Sequence, residues 1–281
     1  MKQITTSLPS DSAVSAPVLW IAVVGFLFWG LGWFDLMPNH EARVGWELEF
    51  LGPLLITLAM LLSVQRWAAR IGYPAAVTAI LAMLACAVST LLFAVDKTAL
   101  ETEAGVRFGY GAYAVALLFG SLAALLALRH KERQRDAAAR HAAPGCQVGC
   151  SCSACIHASF FALSVGAMGF LIWGLGFVAH TIQPTGVEFG WCLAAVGAVL
   201  VTCALASHWE HIAARFGRPA ALIGIASGAV WAMGYVLEAV NPGAGVLSSW
   251  YSDLFACYGV GHVLTAWSLV LVIRRRTPTA R

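Results

Sequence analysis

Eight long apolar runs constrain the fold of this chain more than any other feature of its sequence. Each run is about 20 residues long, the length that an α-helix needs to cross the hydrocarbon core of a bilayer. Each is continuously apolar rather than alternating, which excludes the strand pattern of a membrane β-barrel. The runs cover residues 17–37, 48–64, 74–95, 108–128, 159–178, 189–207, 219–240 and 254–273. The sequence therefore predicts an all-α integral membrane protein with eight transmembrane helices.

The composition supports a membrane setting. Charged residues make up 11% of the chain and hydrophobic residues 60%, whereas about a quarter of the residues in a soluble domain are charged. The first apolar run is longer than the core of a signal peptide, so we expect it to be retained as a membrane helix. The lipid bilayer is therefore the main expected partner.

Lysine and arginine side chains cluster on one side of the predicted membrane. If the N-terminus is cytoplasmic, fourteen of the seventeen Lys and Arg residues lie on that side, and only Arg43, Lys97 and Arg107 lie outside. Cytoplasmic loops of membrane proteins carry such an excess of positive charge. We therefore expect a multi-pass protein of the plasma (inner) membrane, with both termini in the cytoplasm.

Two sequence patterns recur 144 or 145 positions apart. Residues 26–32 read FLFWGLG and residues 170–176 read FLIWGLG, while AARIGYPAA at 68–76 matches AARFGRPAA at 213–221. Each half holds four predicted helices, an even number, so the halves share one orientation, as parallel repeats do. The predicted segments are an N-terminal tail at 1–16, a first four-helix repeat at 17–128, a cytoplasmic linker at 129–158, a second repeat at 159–273 and a basic tail at 274–281.

The predicted linker holds four closely spaced cysteines. Cys146, Cys150, Cys152 and Cys155 follow the pattern C-x3-C-x-C-x2-C, and His157 comes next. Disulfides are rare in a reducing cytoplasm, where clustered thiols indicate metal or redox chemistry. Thiolates suit soft cations, so the cluster predicts binding or sensing of copper or zinc. The alternatives are incidental thiols in a linker and a palmitoylation site.

The intervals between these cysteines disfavour two common metal sites. Structural zinc sites set two C-x-x-C pairs well apart, and the ferredoxin run has different spacings and a following proline. We therefore expect copper or zinc rather than an iron–sulfur cluster. Haem is likewise a weaker expectation than copper or zinc.

Five ionisable side chains lie within the predicted helices or at their ends. Such groups are costly to bury in a membrane and mark a substrate or ion pathway by default. The alternatives are a hydrogen bond between helices for a histidine and contact with lipid headgroups for an acid. The five candidates are Glu238, His262, His180, Asp35 and Glu49.

Alignment of the two halves gives these residues different counterparts. Glu238 aligns with Phe93. We expect the next outer loop to differ in length and to shift the register; if Tyr258 is then matched to Tyr110, His262 aligns with Ala114. The second half is therefore expected to carry most of the specialised chemistry.

Tryptophan positions are explained by anchoring and packing. Trp20, Trp33, Trp46, Trp191 and Trp250 fall near the ends of predicted helices, where interfacial anchors lie. The tryptophan of each WGLG motif is interpreted as a packing residue beside glycines that allow helices to approach closely.

These observations favour a small transporter that moves a small solute or a soft metal ion between the two repeats. One alternative is a membrane redox subunit in which the linker cysteines hold an iron–sulfur cluster, while His180, His208, His211 or His262 serve haem or quinone. Another is a scaffold or accessory subunit of a larger membrane complex, which implies partner subunits. The sequence has no Walker motif, dinucleotide fingerprint or G-x-S-x-G elbow, and its basic run is expected to contact anionic lipid rather than nucleic acid.

Overall fold

The computed structural model describes residues 14–38, 42–96, 102–141, 151–182, 188–241 and 249–276. These residues form ten helices, of which eight are long and apolar enough to cross a membrane. The all-α fold and the eight membrane helices predicted from the sequence are thereby confirmed. The helices are α1 (Ala16–Leu36), α2 (Arg43–Leu62), α3 (Val64–Ile71), α4 (Tyr73–Val95), α5 (Glu103–His141), α6 (Ser151–Ile182), α7 (Glu188–Ser207), α8 (Trp209–Phe216), α9 (Arg218–Val240) and α10 (Ser249–Arg276).

The helices α5 and α6 extend well beyond the apolar runs that predict them. α5 continues to His141 and α6 begins at Ser151, so most of the predicted linker is helical backbone. The added part of α5 is rich in arginine, lysine, glutamate, glutamine and alanine, which are strong helix formers. Only residues 142–150 of the linker lie outside the described part of the chain.

Two short helices that the apolar runs do not predict lie at one end of the bundle. α3 and α8 have eight residues each, and each ends at a glycine with a positive φ, +88° at Gly72 and +98° at Gly217. This backbone conformation is readily adopted by glycine. A proline then stands in the first turn of α4 and of α9, where its missing N–H breaks no helical hydrogen bond. The repeated AAR-x-G-x-P motif thus builds the same turn twice.

The eight long helices are arranged in a ring. Each packs against the next long helix in chain order, and α10 packs against α1, which closes the ring. α3 and α8 lie at the end of the ring where α2 and α7 finish, called here the α3/α8 end. The other end is called the opposite end.

Glycines set the closest approaches between neighbouring helices. A Cβ built on Gly52 of α2 would lie 2.7 Å from the Cβ of Trp29 in α1. A Cβ built on Gly197 of α7 would lie 2.5 Å from the Cβ of Trp173 in α6. Glycine therefore lets the α1–α2 and α6–α7 pairs pack backbone against side chain, as close helix packing in lipid requires.

The outer face of the ring is apolar. Large hydrophobic side chains are exposed along the length of the long helices, as expected for a surface in contact with lipid tails. Examples are Leu31, Leu58, Leu125, Val196 and Leu222. This exposure fits a protein that spans a bilayer many times.

Candidate functional site

A cavity of about 200 Å³ lies within the ring, and every long helix contributes to its wall. This volume is below the roughly 300–1,000 Å³ that is typical of sites for drug-sized ligands. All of its lining positions fall in the part of each helix away from α3 and α8, so the cavity lies toward the opposite end. The lining residues are Trp29, Trp33, Trp46, Glu49, Cys86, Ser89, Thr90, Phe93, Val106, Gly109, Tyr110, Tyr113, Phe177, Trp191, Trp231, Tyr235, Glu238, Phe255 and Tyr258.

Aromatic side chains form most of the cavity wall. Twelve of the nineteen lining residues are Trp, Tyr or Phe. Four helices each supply two aromatic residues three or four positions apart, a spacing that places both on one helix face. These pairs are Trp29 and Trp33, Tyr110 and Tyr113, Trp231 and Tyr235, and Phe255 and Tyr258.

Glu49 is the most deeply buried acid of the wall. It lies in the second turn of α2 and has no exposed surface. The indole N–H of Trp29 in α1 donates a 2.9 Å hydrogen bond to its Oε2. Its Oε1 has no hydrogen-bond partner within the described residues. A buried carboxyl group with one oxygen unpartnered is costly, so this group calls for an explanation beyond packing.

Glu238 brings a second carboxyl group to the same cavity from the last turns of α9. Its Oε2 is buried and likewise lacks a partner among the residues that the structure describes. Tyr235 lies one turn before it, and the hydroxyl of Tyr235 is 3.5 Å from the hydroxyl of Tyr113 in α5. Polar groups from the two halves of the chain therefore meet inside a mostly aromatic wall.

Many lining residues come in pairs separated by the repeat interval. Trp33 of α1 packs on Phe255 and Tyr258 of α10, with ring centroids 5.1 and 5.0 Å apart. Phe177, 144 positions after Trp33, packs on Tyr110 and Tyr113 at 5.7 and 4.7 Å. Further pairs in the wall, each 145 positions apart, are Trp46 and Trp191, Cys86 and Trp231, Thr90 and Tyr235, and Phe93 and Glu238.

His262 lies beside the cavity rather than in its wall. Its ring is buried 4.3 Å from that of Trp29 and 5.3 Å from that of Trp231, measured between centroids. Its Nδ1 lies 2.7 Å from the carbonyl oxygen of Tyr258, one turn earlier in the same helix. Its contacts are thus those of a histidine held between aromatic rings.

The expected alignment of His262 with Ala114 is wrong. A Cβ built on Gly30 would meet His262 and Val263, whereas a Cβ built on the matching Gly174 would meet Leu117 and Leu118. These contacts pair His262 with Leu117, at the same interval of 145 as the rest of the half. The interval is 145 both before the outer loop, at Phe93 and Glu238, and after it, at Leu117 and His262, so the expected shift of register does not occur.

His180 is buried near the end of α6, also outside the cavity lining. Its ring centroid lies 4.1 Å from that of Trp191, and its Nε2 has no partner among the described residues. It packs against Gly190 as Leu36 packs against Gly45 in the first half. Asp35, one residue before Leu36, is partly exposed at the end of α1 and is not part of the wall.

The predicted cysteine site cannot be built from this structure. Cys146 and Cys150 lie outside the described residues, whereas Cys152, Cys155 and His157 fall in the first turns of α6, where only the backbone is described. Elsewhere in the described chain, no group of three or more His, Cys, Asp or Glu side chains is placed to hold a metal ion. The metal site therefore stays a prediction.

His208 and His211 lie where α7 meets α8, far along the chain from the cavity wall. Their ring centroids are 4.7 Å apart. Burial, and then the nearby charges of His211 and Lys131, lower the pKa of His208. No lining residue of the cavity comes from this junction, so His208 and His211 are not part of the cavity site.

Sequence reasoning missed most of the wall. Trp33, Trp46 and Trp191, interpreted as interfacial anchors, line the cavity instead, while Trp20 is exposed as an anchor would be. Trp29, interpreted as a packing residue, lines the cavity and binds Glu49. The sequence feature that identifies inward-facing aromatic residues is their spacing of three or four positions within the apolar runs. Position near a helix end does not separate an inward tryptophan from a lipid-facing one.

Comparisons with protein-family models, with curated proteins and with solved structures found no match to this chain. The geometry of the site is therefore the basis for assigning a function.

Proposed function

We propose that this multi-pass membrane protein transports a small solute, which binds in the cavity at the centre of the ring. The observation that carries this proposal is that all eight membrane helices line one cavity. A concave, mostly apolar site with a few convergent polar groups is the usual form of a small-molecule site. The carboxyl groups of Glu49 and Glu238 are the ionisable groups that a bound solute would meet first.

The proposal includes two parallel four-helix repeats with the cavity between them. Support comes from the matched pairs of lining residues and from the twin turns at Gly72 and Gly217. Transporters built from repeats expose a central site to each side in turn by rocking one repeat against the other. The α1–α10 and α5–α6 contacts would be the two seams at which this motion occurs.

The proposal also assigns an orientation. Arg66, Arg70, Arg215 and Arg218 lie at the α3/α8 end, and the positive-inside rule places that end in the cytoplasm. The cavity then lies in the outer half of the membrane. The cysteine cluster would lie on the cytoplasmic side, where binding or sensing of copper or zinc remains the predicted role.

Cys86 offers a direct test of solute access because it is a native thiol in the cavity wall. A variant that keeps Cys86 and carries serine at the other seven cysteines would be placed in right-side-out and inside-out vesicles. We expect a membrane-impermeant methanethiosulfonate to label Cys86 in both preparations. The matched control is Leu58→Cys in a cysteine-free chain, which places a thiol among lipid tails and should stay unlabelled in both.

Labelling of Cys86 from one side only, or from neither, would contradict transport. A fixed cavity that never opens to either side is the result that the scaffold alternative predicts.

A further inference from the structure

The cavity wall has an unusual combination of side chains for a membrane interior. Its ionisable groups are two carboxyl groups, four tyrosine hydroxyls and one thiol, and the nineteen lining residues include no Lys, Arg or His. A carboxylate in such surroundings needs a positive partner, or else it must hold a proton. The wall is therefore suited to a cation and unsuited to an anion.

The aromatic side chains of the wall indicate which class of cation the cavity would bind. Trp and Tyr rings attract cations to their faces, and aromatic cages are the recurring site for quaternary ammonium groups. Five Trp and four Tyr residues line this cavity. Ca²⁺ instead takes six to eight oxygen ligands, carboxylates prominent among them, and no group of three or more His, Cys, Asp or Glu side chains in the described chain is placed to hold a metal ion.

The placement of the acids adds a second argument. Glu49 comes from α2 in the first half and Glu238 from α9 in the second, so a solute between the halves meets a carboxyl group from each. A neutral apolar solute would gain nothing from either acid, yet each acid has a buried carboxyl oxygen without a partner in the described structure. This burial is compensated when a cation occupies the cavity.

We propose that the transported solute is a small alkylated ammonium cation, held by the Trp and Tyr faces and by Glu49 and Glu238. This inference rests on the proposed transport function and names the substrate class of the same cavity. The volume of about 200 Å³ favours a compact cation of the size of choline over large aromatic cations.

Binding of radiolabelled choline to the purified full-length protein in mild detergent tests this inference. The competitor is 3,3-dimethylbutan-1-ol, which has the shape of choline but a carbon atom in place of the charged nitrogen. We expect saturable choline binding, with the neutral alcohol competing at least about tenfold more weakly because it lacks the cation–π and charge interactions.

The variants Glu49→Gln and Glu238→Gln should each lower choline affinity by at least about tenfold. The matched control is Glu188→Gln, because Glu188 is exposed in the first turn of α7 and does not line the cavity; its affinity should equal that of the unaltered protein. Size-exclusion elution of every variant checks its fold, and Glu238→Gln alone suffices if Glu49→Gln does not fold. The inference is overturned by absent choline binding, by equal competition from the neutral alcohol, or by full affinity in the folded glutamine variants.

The labelling of Cys86 distinguishes failure of the transport function from failure of the cation assignment. Labelling from both sides without choline binding overturns the cation assignment and leaves transport standing. Saturable choline binding with Cys86 closed to one side overturns transport and leaves the ligand class standing.

Discussion

Trp33 in the first half of the ring and Phe177 in the second occupy matched places, each against two aromatic rings of an adjacent helix. Trp46 and Trp191 also match, but the two acids of the cavity do not. Glu49 stands where the second half has Ala194, and Glu238 stands where the first half has Phe93. Several aromatic positions of the wall are thus alike in the two halves, whereas each of the two acids has an apolar counterpart. The shape of the cavity thus follows from the shared packing, and its chemistry follows from the departures.

The largest effect should come from breaking the shared packing. Gly52→Ala and Gly197→Ala would each put a Cβ within 2.8 Å of atoms of the facing helix, so we expect a loss of about 1–3 kcal/mol of stability from either one. Thermal unfolding followed by size-exclusion elution measures this loss.

The control for the glycine variants is Gly166→Ala, whose Cβ would meet only Ala204 at 3.6 Å. Alanine is the better helix former by about 1 kcal/mol, so this variant should be as stable as the unaltered protein or more so. Equal behaviour of all three variants would show that close approach does not set the packing of these pairs.

The hydrogen bond between Trp29 and Glu49 exists in one half only, because Ala194 gives Trp173 no carboxyl group at the matched place. Trp29→Phe should destabilise the protein by about 1–3 kcal/mol, since it leaves the buried Glu49 without its indole donor. In the Glu49→Ala background the same change should cost clearly less. A double-mutant cycle of unfolding free energies checks this prediction. An equal cost in both backgrounds would show that the hydrogen bond does not stabilise the protein.

His180→Leu tests a difference between the two halves that lies outside the cavity. It places the side chain of Leu36 at the matched position of the second half and removes a buried Nε2 that has no partner in the described structure. We expect a gain of about 1 kcal/mol in stability and unchanged choline affinity. Weakened choline binding in a folded variant would instead assign His180 to the solute pathway.

The smallest effect on the ring is expected from the linker between its halves. Serine at Cys146, Cys150, Cys152 and Cys155 should abolish bound copper or zinc in elemental analysis of the anaerobically purified protein, while the unfolding temperature of the membrane part stays unchanged. Equal metal content before and after the change would reduce the cluster to incidental thiols. A metal content of zero in the unaltered protein would do the same.

The sequence predicts the membrane helices well because length and apolarity are local properties. The predicted run 189–207 becomes α7, Glu188–Ser207, and the run 219–240 becomes α9, Arg218–Val240. α3 and α8 escape prediction because eight residues with arginines among them form no apolar run.

The site is less predictable because it depends on which helix face turns inward. The sequence identifies Glu49 and Glu238 as ionisable groups within apolar runs, and the structure places both in one wall. The positions of Trp46 and Trp191 near helix ends predict membrane anchors, yet both side chains line the cavity. The closed ring is a long-range property that the spacing of residues along one helix does not reveal.

Protection of Cys86 by a bound cation tests the central claim most directly, since it reports on the cavity and its ligand at once. In the variant that retains Cys86 alone, the account predicts that choline slows thiol labelling in a saturable manner and that 3,3-dimethylbutan-1-ol at equal concentration does not. Labelling that choline leaves unchanged, or that both compounds slow equally, would contradict a cation site between the two halves of the ring.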